Sequence, residues 1–394
     1  MEILNFLLQY KYIIIFYGII AIWIATHWKK FDIQAKIIFL YRTKLGLKAM
    51  DRMVDKYREQ IILLGYIGVG AGFVGLVFIS YTLIDNLWNL IFNPATGNAV
   101  SLVLPGVNVP GMGVLPFWFW LISIFIIATI HEFGHGIVAR AHKIPVLSSG
   151  FVLFGPIIGA FVEPDEKKMS KMEDIKQYSV MAAGPFANIL LAVVAVALLS
   201  WVVSPSIDAM VEPQGFTFAA YTGENLAAEQ AGLPVETLIT DINGVEYLEF
   251  QGFQKELSCM SPGDTLNITA DGTMYPVILG SNPDMPEKPL IGVDGISNDY
   301  RLKAKYQGGI TEIGYNVLVW VGDLLRWLFI LSLGIGLFNL LPLPIVDGGR
   351  MVQVSMRKMH GKELGDHKYG QIGLIFLIIL LLNVFYPLIS RIFL

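Results

Sequence analysis

The sequence His131-Glu132-Phe133-Gly134-His135 lies inside an apolar run from Phe117 to Ala139. Two imidazoles and a carboxylate at membrane depth are costly, so such residues mark a functional site. On a helix, His131 and His135 lie one turn apart on the same face, where both rings can bind one metal ion. Glu132 lies about 100° around the helix and can act on a water molecule at the metal without being a ligand, as in other H-E-x-x-H zinc sites. The alternative is a pair of buried structural histidines beside a stray Glu.

The composition predicts a polytopic membrane protein and not a soluble enzyme. Of the 394 residues, 54% are hydrophobic and only 15% are charged. The net charge of −4 argues against nucleic acid as a partner. Cys259 is the only cysteine, which excludes an intrachain disulfide and a Cys-based zinc site. The first apolar segment lacks a small-residue cleavage site and is too long for a signal-peptide core, so we expect it to be retained.

Six segments are apolar enough to span a bilayer, which takes about 20 residues each. They are Leu8–Trp28, Ile61–Leu83, Phe117–Ala139, Val180–Val203, a fifth within Ile313–Leu341, and Ile372–Phe393. Asp323 and Arg326 interrupt the fifth. Two alternatives therefore stay open there: an interfacial amphipathic helix over Ile310–Trp327 followed by a shorter buried piece, or one long tilted helix.

Charge asymmetry predicts the orientation in the membrane, which we take to be the cell membrane. Lys29–Glu59 holds nine Lys and Arg residues, whereas Asp85–Pro116 holds none. Arg140–Tyr178 and Arg350–Lys368 are basic again, and Pro205–Tyr300 is acidic. Because basic loops stay in the cytosol, six crossings place both termini and the acidic segment outside. The His pair then lies within the bilayer's depth, towards the cytosolic side.

Segment Val146–Pro164 is too interrupted for a membrane helix. Gly155-Pro156 marks a turn between two short, β-prone apolar runs, which predicts a β-hairpin beside the His helix. Non-helical backbone at that depth needs shielding by protein or a wet cavity. A hairpin with one open edge could receive an extended peptide by strand addition. An ordinary cytosolic hairpin on the membrane interface is the alternative.

From Pro205 to about Asn298 the composition shifts to that of a soluble α/β domain. Its landmarks, in order, are a short helix ending in Ala-Gly-Leu233, a strand with an Asn243-Gly244 turn, a helix over Phe253–Cys259 and a Pro-Gly-Asp264 turn into another strand. These landmarks resemble a PDZ domain. The resemblance implies a peptide groove between the helix and a neighbouring strand, although a spacer domain without a ligand remains an alternative.

A catalytic zinc site has three protein ligands and a water, so two His are not enough. Asp347 is the strongest candidate for the third ligand. Pro342 and Pro344 prevent a regular helix before it, and Gly348-Gly349 let the chain turn sharply after it. The other four histidines, His27, His142, His360 and His367, lie at segment ends or in basic loops, where solvated or interfacial positions are expected.

Three blocks in this order resemble the site-2 protease family of intramembrane zinc metalloproteases, whose members include PDZ-containing proteins. The blocks are His131-Glu-Phe-Gly-His135, Ala183-Gly-Pro-Phe-Ala-Asn188, and Asn339-Leu-Leu-Pro with Asp347-Gly-Gly349. The resemblance covers roughly Phe117–Gly349. It departs from the family pattern at Val346, where Leu is usual. It also has two spans before the His helix, and the role of these two spans is unassigned.

The resemblance implies one Zn²⁺ bound by His131, His135 and Asp347, with Glu132 as general base. It also implies that Asn188 and Asn339 hydrogen-bond the active-site neighbourhood or the substrate backbone. Taken alone, Asn188 is equally compatible with a helix-packing amide.

We therefore predict a helical polytopic membrane protein with about six spans, a membrane-associated hairpin and an inserted extracytoplasmic PDZ-like domain. Its divisions are residues 1–115, 116–204, 205–300 and 301–394. The predicted activity is zinc-dependent hydrolysis of transmembrane protein substrates, with a peptide as a further ligand of the PDZ-like domain. Alternatives are a catalytically silent scaffold, another zincin with a Glu ligand, and a metal transporter. The sequence shows no downstream Glu in an apolar helix, and its ionisable residues cluster at one depth.

Overall fold

In a computed structural model, residues 11–34, 37–93, 104–109, 112–155, 157–223, 226–283 and 285–393 are described. The chain divides into two compact units. Met1–Leu199 with Asp323–Leu394 forms one, which we call the helical unit, and Ser200–Gly322 forms the inserted unit. These boundaries lie within about two dozen residues of the divisions drawn from composition, which remain a prediction.

Helices account for most of the described chain. In chain order they are α1 Lys11–Thr26, α2 Leu47–Phe92, α3 Phe117–Ala141, α4 Glu166–Met169, α5 Asp174–Leu198, α6 Ser204–Met210, α7 Ala227–Gln230, α8 Phe250–Leu257, α9 Gly309–Phe338, α10 Asp347–His360 and α11 Lys362–Phe393. A π-helix, Leu199–Val203, joins α5 to α6, and 3₁₀ turns occupy Trp28–Lys30 and Ala304–Tyr306.

Five helical segments among the described residues are long and apolar enough to cross a membrane. They are α2, α3, the continuous stretch Asp174–Met210, α9 and α11 up to Tyr386. Helix α1 is apolar but only 16 residues long. The first predicted span began at Leu8, and Leu8–Tyr10 lie outside the described residues. The multi-pass character of the chain is thus supported, while the sixth crossing stays a prediction.

The fifth predicted segment is one continuous helix, α9, and not an interfacial helix followed by a separate piece. The two charged residues that interrupt its apolar stretch, Asp323 and Arg326, lie close to each other. Arg326 Nη1 lies 3.8 Å from Asp323 Oδ1 one turn away, and both side chains are about half exposed. The pair lets the helix continue through the polar positions that the sequence made ambiguous.

A four-stranded antiparallel sheet belongs to the helical unit. Its strands are β1 Phe31–Gln34, β2 Ile38–Thr43, β5 Val146–Phe154 and β6 Ile157–Pro164, in the order β1-β2-β5-β6. The predicted hairpin is therefore present as β5 and β6, although Pro156 of its turn lies outside the described residues. The basic stretch Lys29–Glu59, expected as a loop, instead contains β1, β2 and the start of α2. Two short strands, β3 Asn108–Val109 and β4 Gly113–Val114, pair separately.

Strand β2 occupies one edge of β5, and among the described residues no strand pairs with the outer edge of β6, which we call the free edge. Arg42 of β2 reaches across the sheet to the carboxylate of Glu163 on β6 and lies 3.2 Å from Asp32 on β1. Ser148 Oγ donates to Glu163 Oε2 at 2.6 Å. These contacts link all four strands at one end and fix the register of β6.

Glycines on one face of α2 bring it against helices α5 and α10. A Cβ on Gly68 would lie 3.2 Å from the Phe186 ring of α5, and one on Gly72 would lie 3.1 Å from both Ala182 and Met351. Small residues at helix interfaces allow backbones to approach closely in membranes. The second predicted span, whose role the sequence left open, is thus part of the core that holds α5 and α10.

Helices α2 and α11 are joined by a buried amide pair. Asn86 Nδ2 donates to Asn383 Oδ1 at 2.6 Å, and Asn383 Nδ2 donates to the carbonyl of Leu83 at 3.1 Å. Asn383 is 1% exposed and Asn86 is 7% exposed. Asn383 Nδ2 also donates to the Ile379 carbonyl at 2.9 Å, so the amide pair is part of a buried hydrogen-bond network between the two helices.

The inserted unit is built on a second antiparallel sheet. Its strands are β7 Val211–Thr217, β8 Ala220–Tyr221, β9 Ile239–Ile242, β10 Val245–Glu246, β11 Thr265–Ala270, β12 Thr273–Ile278, β13 Gly280–Ser281, β14 Pro289–Leu290, β15 Val293–Asp294 and β16 Ser297–Leu302. The main sheet has the order β12-β11-β9-β7-β16, with β10 on β9, and the short pairs are β13-β14 and β8-β15. Phe216, Phe253 and Leu266 lie in its buried core.

The predicted landmarks of this unit occur in the expected order. Helix α7 precedes Ala231-Gly232-Leu233, although Asn225 before it lies outside the described residues. Asn243 and Gly244 have φ values of 54° and 80°, as a tight hairpin turn requires. The helix predicted for Phe253–Cys259 begins three residues earlier, at Phe250, and ends at Leu257. The PDZ assignment itself remains a resemblance.

We predict that Asn383→Ala lowers the unfolding free energy of the protein in detergent by about 1 kcal/mol, because it removes the buried hydrogen bonds that join α11 to Asn86 and to the Leu83 carbonyl of α2. The measurement is denaturant-induced unfolding followed by circular dichroism. Leu382→Ala is the control, since Leu382 is 40% exposed on the same helix. In a double-mutant cycle with Asn86→Ala, a coupling energy near zero would contradict the assignment.

Candidate active site

Two histidines of α3 and one aspartate of α10 converge at one point. His131 Nε2 and His135 Nε2 are 3.1 Å apart. Asp347 Oδ2 lies 3.1 Å from the first and 3.4 Å from the second. Each of the three side chains is 12% exposed. The tertiary fold thus brings together the two sequence blocks that were proposed as halves of one metal site.

The backbone before Asp347 explains why this residue reaches the His pair. Helix α9 ends at Phe338, and the chain runs irregularly through Pro342 and Pro344 until α10 begins at Asp347 itself. The Gly348 N–H donates to the Asn339 carbonyl at 2.8 Å, which folds the loop back on the end of α9. A side chain at Gly348 would overlap the Leu340 backbone. A glycine at position 348 is therefore required by close backbone packing.

The three donor atoms fit a metal ion. A tetrahedral zinc site with bonds of about 2.0–2.1 Å places neighbouring donor atoms about 3.3 Å apart. The observed separations of 3.1, 3.1 and 3.4 Å match that spacing. Two imidazoles and one carboxylate are also a donor set that zinc accepts while keeping one position free for water. His131, His135 and Asp347 can therefore hold one metal ion.

The His135 ring is oriented by helix α5. Its Nδ1 lies 2.7 Å from the Val180 carbonyl, which can only accept a hydrogen bond. The proton is therefore on Nδ1, and the lone pair of Nε2 is directed at the metal position. A backbone carbonyl in this role fixes the tautomer and orientation of a metal-binding His. Sequence reasoning missed Val180, because a backbone acceptor leaves no residue-specific signal.

The His131 ring is paired with Asn188, a fully buried residue of α5. The Asn188 amide nitrogen lies 3.0 Å from His131 Nδ1, and Asn188 Oδ1 is buried without a partner among the described residues. Rotating the amide by half a turn exchanges its oxygen and nitrogen. Oδ1 then accepts from Nδ1–H, which is the arrangement that leaves His131 Nε2 free to bind a metal. The backbone carbonyl of Asn188 also accepts a hydrogen bond, from Ser332 Oγ of helix α9 at 2.8 Å.

Gly184 leaves the space in which the ring nitrogens meet. A Cβ built at this position would overlap Nε2 of both His131 and His135. Helix α3 also approaches α5 closely, since a Cβ on Gly134 would lie 2.8 Å from the Ala183 carbonyl oxygen. The sequence analysis quoted Gly184 within the block Ala183–Asn188 but assigned it no role. The feature that could have indicated its role is the pair Gly184-Pro185, because Gly and Pro are both unfavourable inside an apolar helix.

Glu132 is not among the grouped donor atoms. Its Oε2 accepts a hydrogen bond from the Val162 N–H of β6 at 2.9 Å. Because strand residues alternate, this N–H belongs to the free edge of the sheet, and Glu132 therefore links the His helix to that edge. Sequence reasoning placed the hairpin beside the His helix but did not identify Val162 as the contact.

A cavity of about 360 Å³ adjoins the three donor residues and Glu132. We call it the metal cavity. Its walls come from α3, β6, α5 and the start of α10, and Asn339 also lines it. Arg350 and Glu166 also line it and are paired at 2.6 Å. Asn339 thus lies in the wall of the metal cavity, and its backbone carbonyl accepts the Gly348 hydrogen bond. A hydrogen bond from its side chain to the substrate backbone stays a prediction.

His142 departs from the expectation of a solvated position. It follows α3 and is only 5% exposed, with Nε2 3.2 Å from Ser179 Oγ. Burial lowers the pKa of His142, and the positive charges of Lys176 and Arg58 lower it further. The residue is therefore a neutral packing group that ties the end of α3 to α5. Segment ends are not always solvated, because neighbouring helices can cover them.

Comparisons with known proteins agree with this site. The profile of peptidase family M50 matches residues 119–383. An uncharacterized protein of Methanocaldococcus jannaschii is 31% identical over 189 residues, which are 46% of this chain and 49% of that protein. Zinc metalloprotease RasP of Shouchella clausii is 23% identical over 287 residues, covering 61% of this chain and 65% of the relative. RasP of Geobacillus kaustophilus is 39% identical over 74 residues, or 18% of each chain. These three matches span from under a fifth to just under two thirds of the relatives' lengths.

We predict that Gly184→Ala abolishes metal binding without unfolding the protein, because the added methyl group occupies the space between the two ring nitrogens. Metal content would be measured by mass spectrometry of the purified protein, and folding by gel filtration and circular dichroism. Gly334→Ala is the matched control, since a Cβ there meets nothing within 4 Å. Full metal content in the Gly184→Ala protein would contradict this reading of the site.

Proposed function

This chain belongs to peptidase family M50, and on that premise we propose that it is an intramembrane zinc metalloprotease. Its reaction would be hydrolysis of peptide bonds within or next to transmembrane segments of membrane proteins. The observation that carries the proposal is the convergence of His131, His135 and Asp347 beside Glu132, on helices of which α3 is apolar enough to cross a membrane. A metal site on a helix of this kind favours a substrate that is itself a membrane segment.

The catalytic roles follow from the contacts of each side chain. His131, His135 and Asp347 would hold one Zn²⁺, which supplies a Lewis acid and lowers the pKa of bound water towards about 7. Glu132, which is not a ligand, would take the proton of the attacking water and pass it to the leaving amine. The metal cavity gives water a polar route to the site past Arg350 and Glu166.

The sheet supports a way of presenting the substrate. A helical segment hides its peptide groups in its own hydrogen bonds, so it must unwind before it is cut. The free edge of β6 can hold it extended by strand addition, as proposed for the hairpin. The Val162 N–H, now bonded to Glu132, is the donor that a substrate carbonyl would take over. Pairing would then release the Glu132 carboxylate for proton transfer.

The membrane orientation is also part of the proposal. We place the protein in the cell membrane with the active site towards the cytosol and the inserted unit outside. Along α3, His135 lies about 7 Å and His131 about 13 Å from Arg140, a cytosolic marker. The alternation of basic and acidic segments supports this orientation.

For the inserted unit we propose a PDZ-like role in screening substrates from outside, by their size or by a new C-terminus left by an earlier cut. The Phe216 ring of β7 packs on Phe250 and Phe253 of α8, so helix and sheet share one core. Asn298 Oδ1 of β16 accepts a hydrogen bond from the Phe250 N–H at 2.7 Å. A peptide groove beside α8 would be bounded by this contact.

We predict that Glu132→Gln cuts a model single-span protein in liposomes at least about 100-fold more slowly than the unaltered protein does, while keeping its zinc, because only the proton acceptor is lost. Asp347→Ala should lose both zinc and cleavage. Glu173→Gln is the control, because this glutamate is 72% exposed and pairs with Lys176 at the surface. Equal cleavage by Glu132→Gln would overturn the mechanism, whereas no cleavage by the unaltered protein would favour the silent scaffold.

For Asn188 we propose positioning of the His131 ring, and not packing alone. Asn188→Leu should weaken zinc binding about 10- to 100-fold, because His131 Nδ1–H loses its acceptor. Asn188→Asp keeps an acceptor and should retain the affinity. The measurement is competition for zinc with a chelator, under conditions without substrate. Unchanged affinity in Asn188→Leu would mean that the amide serves only helix packing.

A further inference from the structure

A second cavity, of about 280 Å³, adjoins the metal cavity. We call it the apolar cavity. Glu132, Phe161 and Val162 line both cavities, so the catalytic glutamate and the edge strand form the wall between them. The remaining walls of the apolar cavity differ from those of the metal cavity. They come from the turn before α2 and the start of α2, one face of α3 and strand β5.

The lining determines what the apolar cavity can hold. Met50, Phe125, Phe133 and Phe151 supply apolar surface, and among the described residues Glu132 is the only charged one that lines it. A charged side chain would be buried there without a partner, which is costly. A dry cavity of about 150 Å³ already holds a benzene ring, so this one has room for a large aliphatic or aromatic side chain.

The geometry of strand addition connects this cavity to a substrate. In an extended chain, successive side chains point to opposite faces of the sheet. A chain paired with the edge of β6 at Val162 would have the metal cavity on one face and the apolar cavity on the other. When the reacting carbonyl faces Glu132 and the metal ligands, the side chain of an adjacent residue points into the apolar cavity.

We propose that the apolar cavity is a specificity subsite for a large apolar side chain next to the bond that is cut. This inference rests on the proposed protease function and deepens it by naming the residue class selected at that position. The competing occupant is a lipid acyl chain, which would fill the same surface without regard to the substrate's sequence.

Thr129 is suited to testing the subsite, because it lines the apolar cavity one turn before Phe133. Thr129→Phe would fill the space from the α3 side. Ile130→Phe is the matched control. It introduces the same side chain at the next residue of the same helix, where Ile130 is 37% exposed and does not line the cavity. Phe125→Ala provides an independent variant that enlarges the space.

The experiment uses the full-length protein in liposomes with synthetic single-span peptides carrying a randomised stretch in the membrane segment. Mass spectrometry of the products gives the residues that flank each cut. For the unaltered protein and for Ile130→Phe we expect Leu, Met and Phe to be enriched over Ala and Gly at one flanking position. Thr129→Phe should reverse this preference by about tenfold or more, and Phe125→Ala should admit Trp.

The outcomes separate this inference from the proposed function. Cleavage that persists in Glu132→Gln, or no cleavage, overturns the proposed function and this inference with it. Glu132-dependent cleavage with the same flanking preference in all variants overturns the subsite alone. A uniform change in rate across all peptides, without a change in preference, assigns the cavity to lipid and also overturns the subsite.

Discussion

The structure depends on holding three donor atoms together in an apolar environment. His131 and His135 are separated from Asp347 by more than 200 residues, yet their side chains meet within 3.4 Å. Burying a carboxylate beside two imidazoles is costly unless a cation joins them. A bound metal ion would offset that cost and would link α3 to α10. The site would then also stabilise the packing of these two helices in the helical unit.

Helix α5 supports this site from behind. It supplies the Val180 carbonyl to His135, the Asn188 amide to His131, and the bare backbone of Gly184 between them. These three residues are spaced four apart, so they share one face of the helix. A single rigid element thus orients both histidines. This explains why a second sequence block, without any ligand of its own, accompanies the first.

The hairpin was predictable, but its surroundings were not. Two β-prone runs around Gly155 indicated β5 and β6, and the structure has both strands. Strands β1 and β2 were hidden in a basic stretch, because short amphipathic strands next to charged residues look like a loop. Their presence occupies one edge of the hairpin and leaves the β6 edge against Glu132. Which edge of the hairpin lacks a strand partner is therefore decided by the tertiary structure.

The sequence by itself determined that the chain is a membrane protein, that the His pair shares one helix face, and that a turn presents Asp347. It also singled out Glu132 as a residue beside the donor atoms and not one of them. These features are local, since they follow from composition and from residues within a few positions of each other. Tertiary structure alone decided the tautomers of the histidines, the gap at Gly184, the Val162 contact of Glu132 and the two adjoining cavities. Those depend on backbone groups and on empty space between distant segments, neither of which is encoded in a residue's identity.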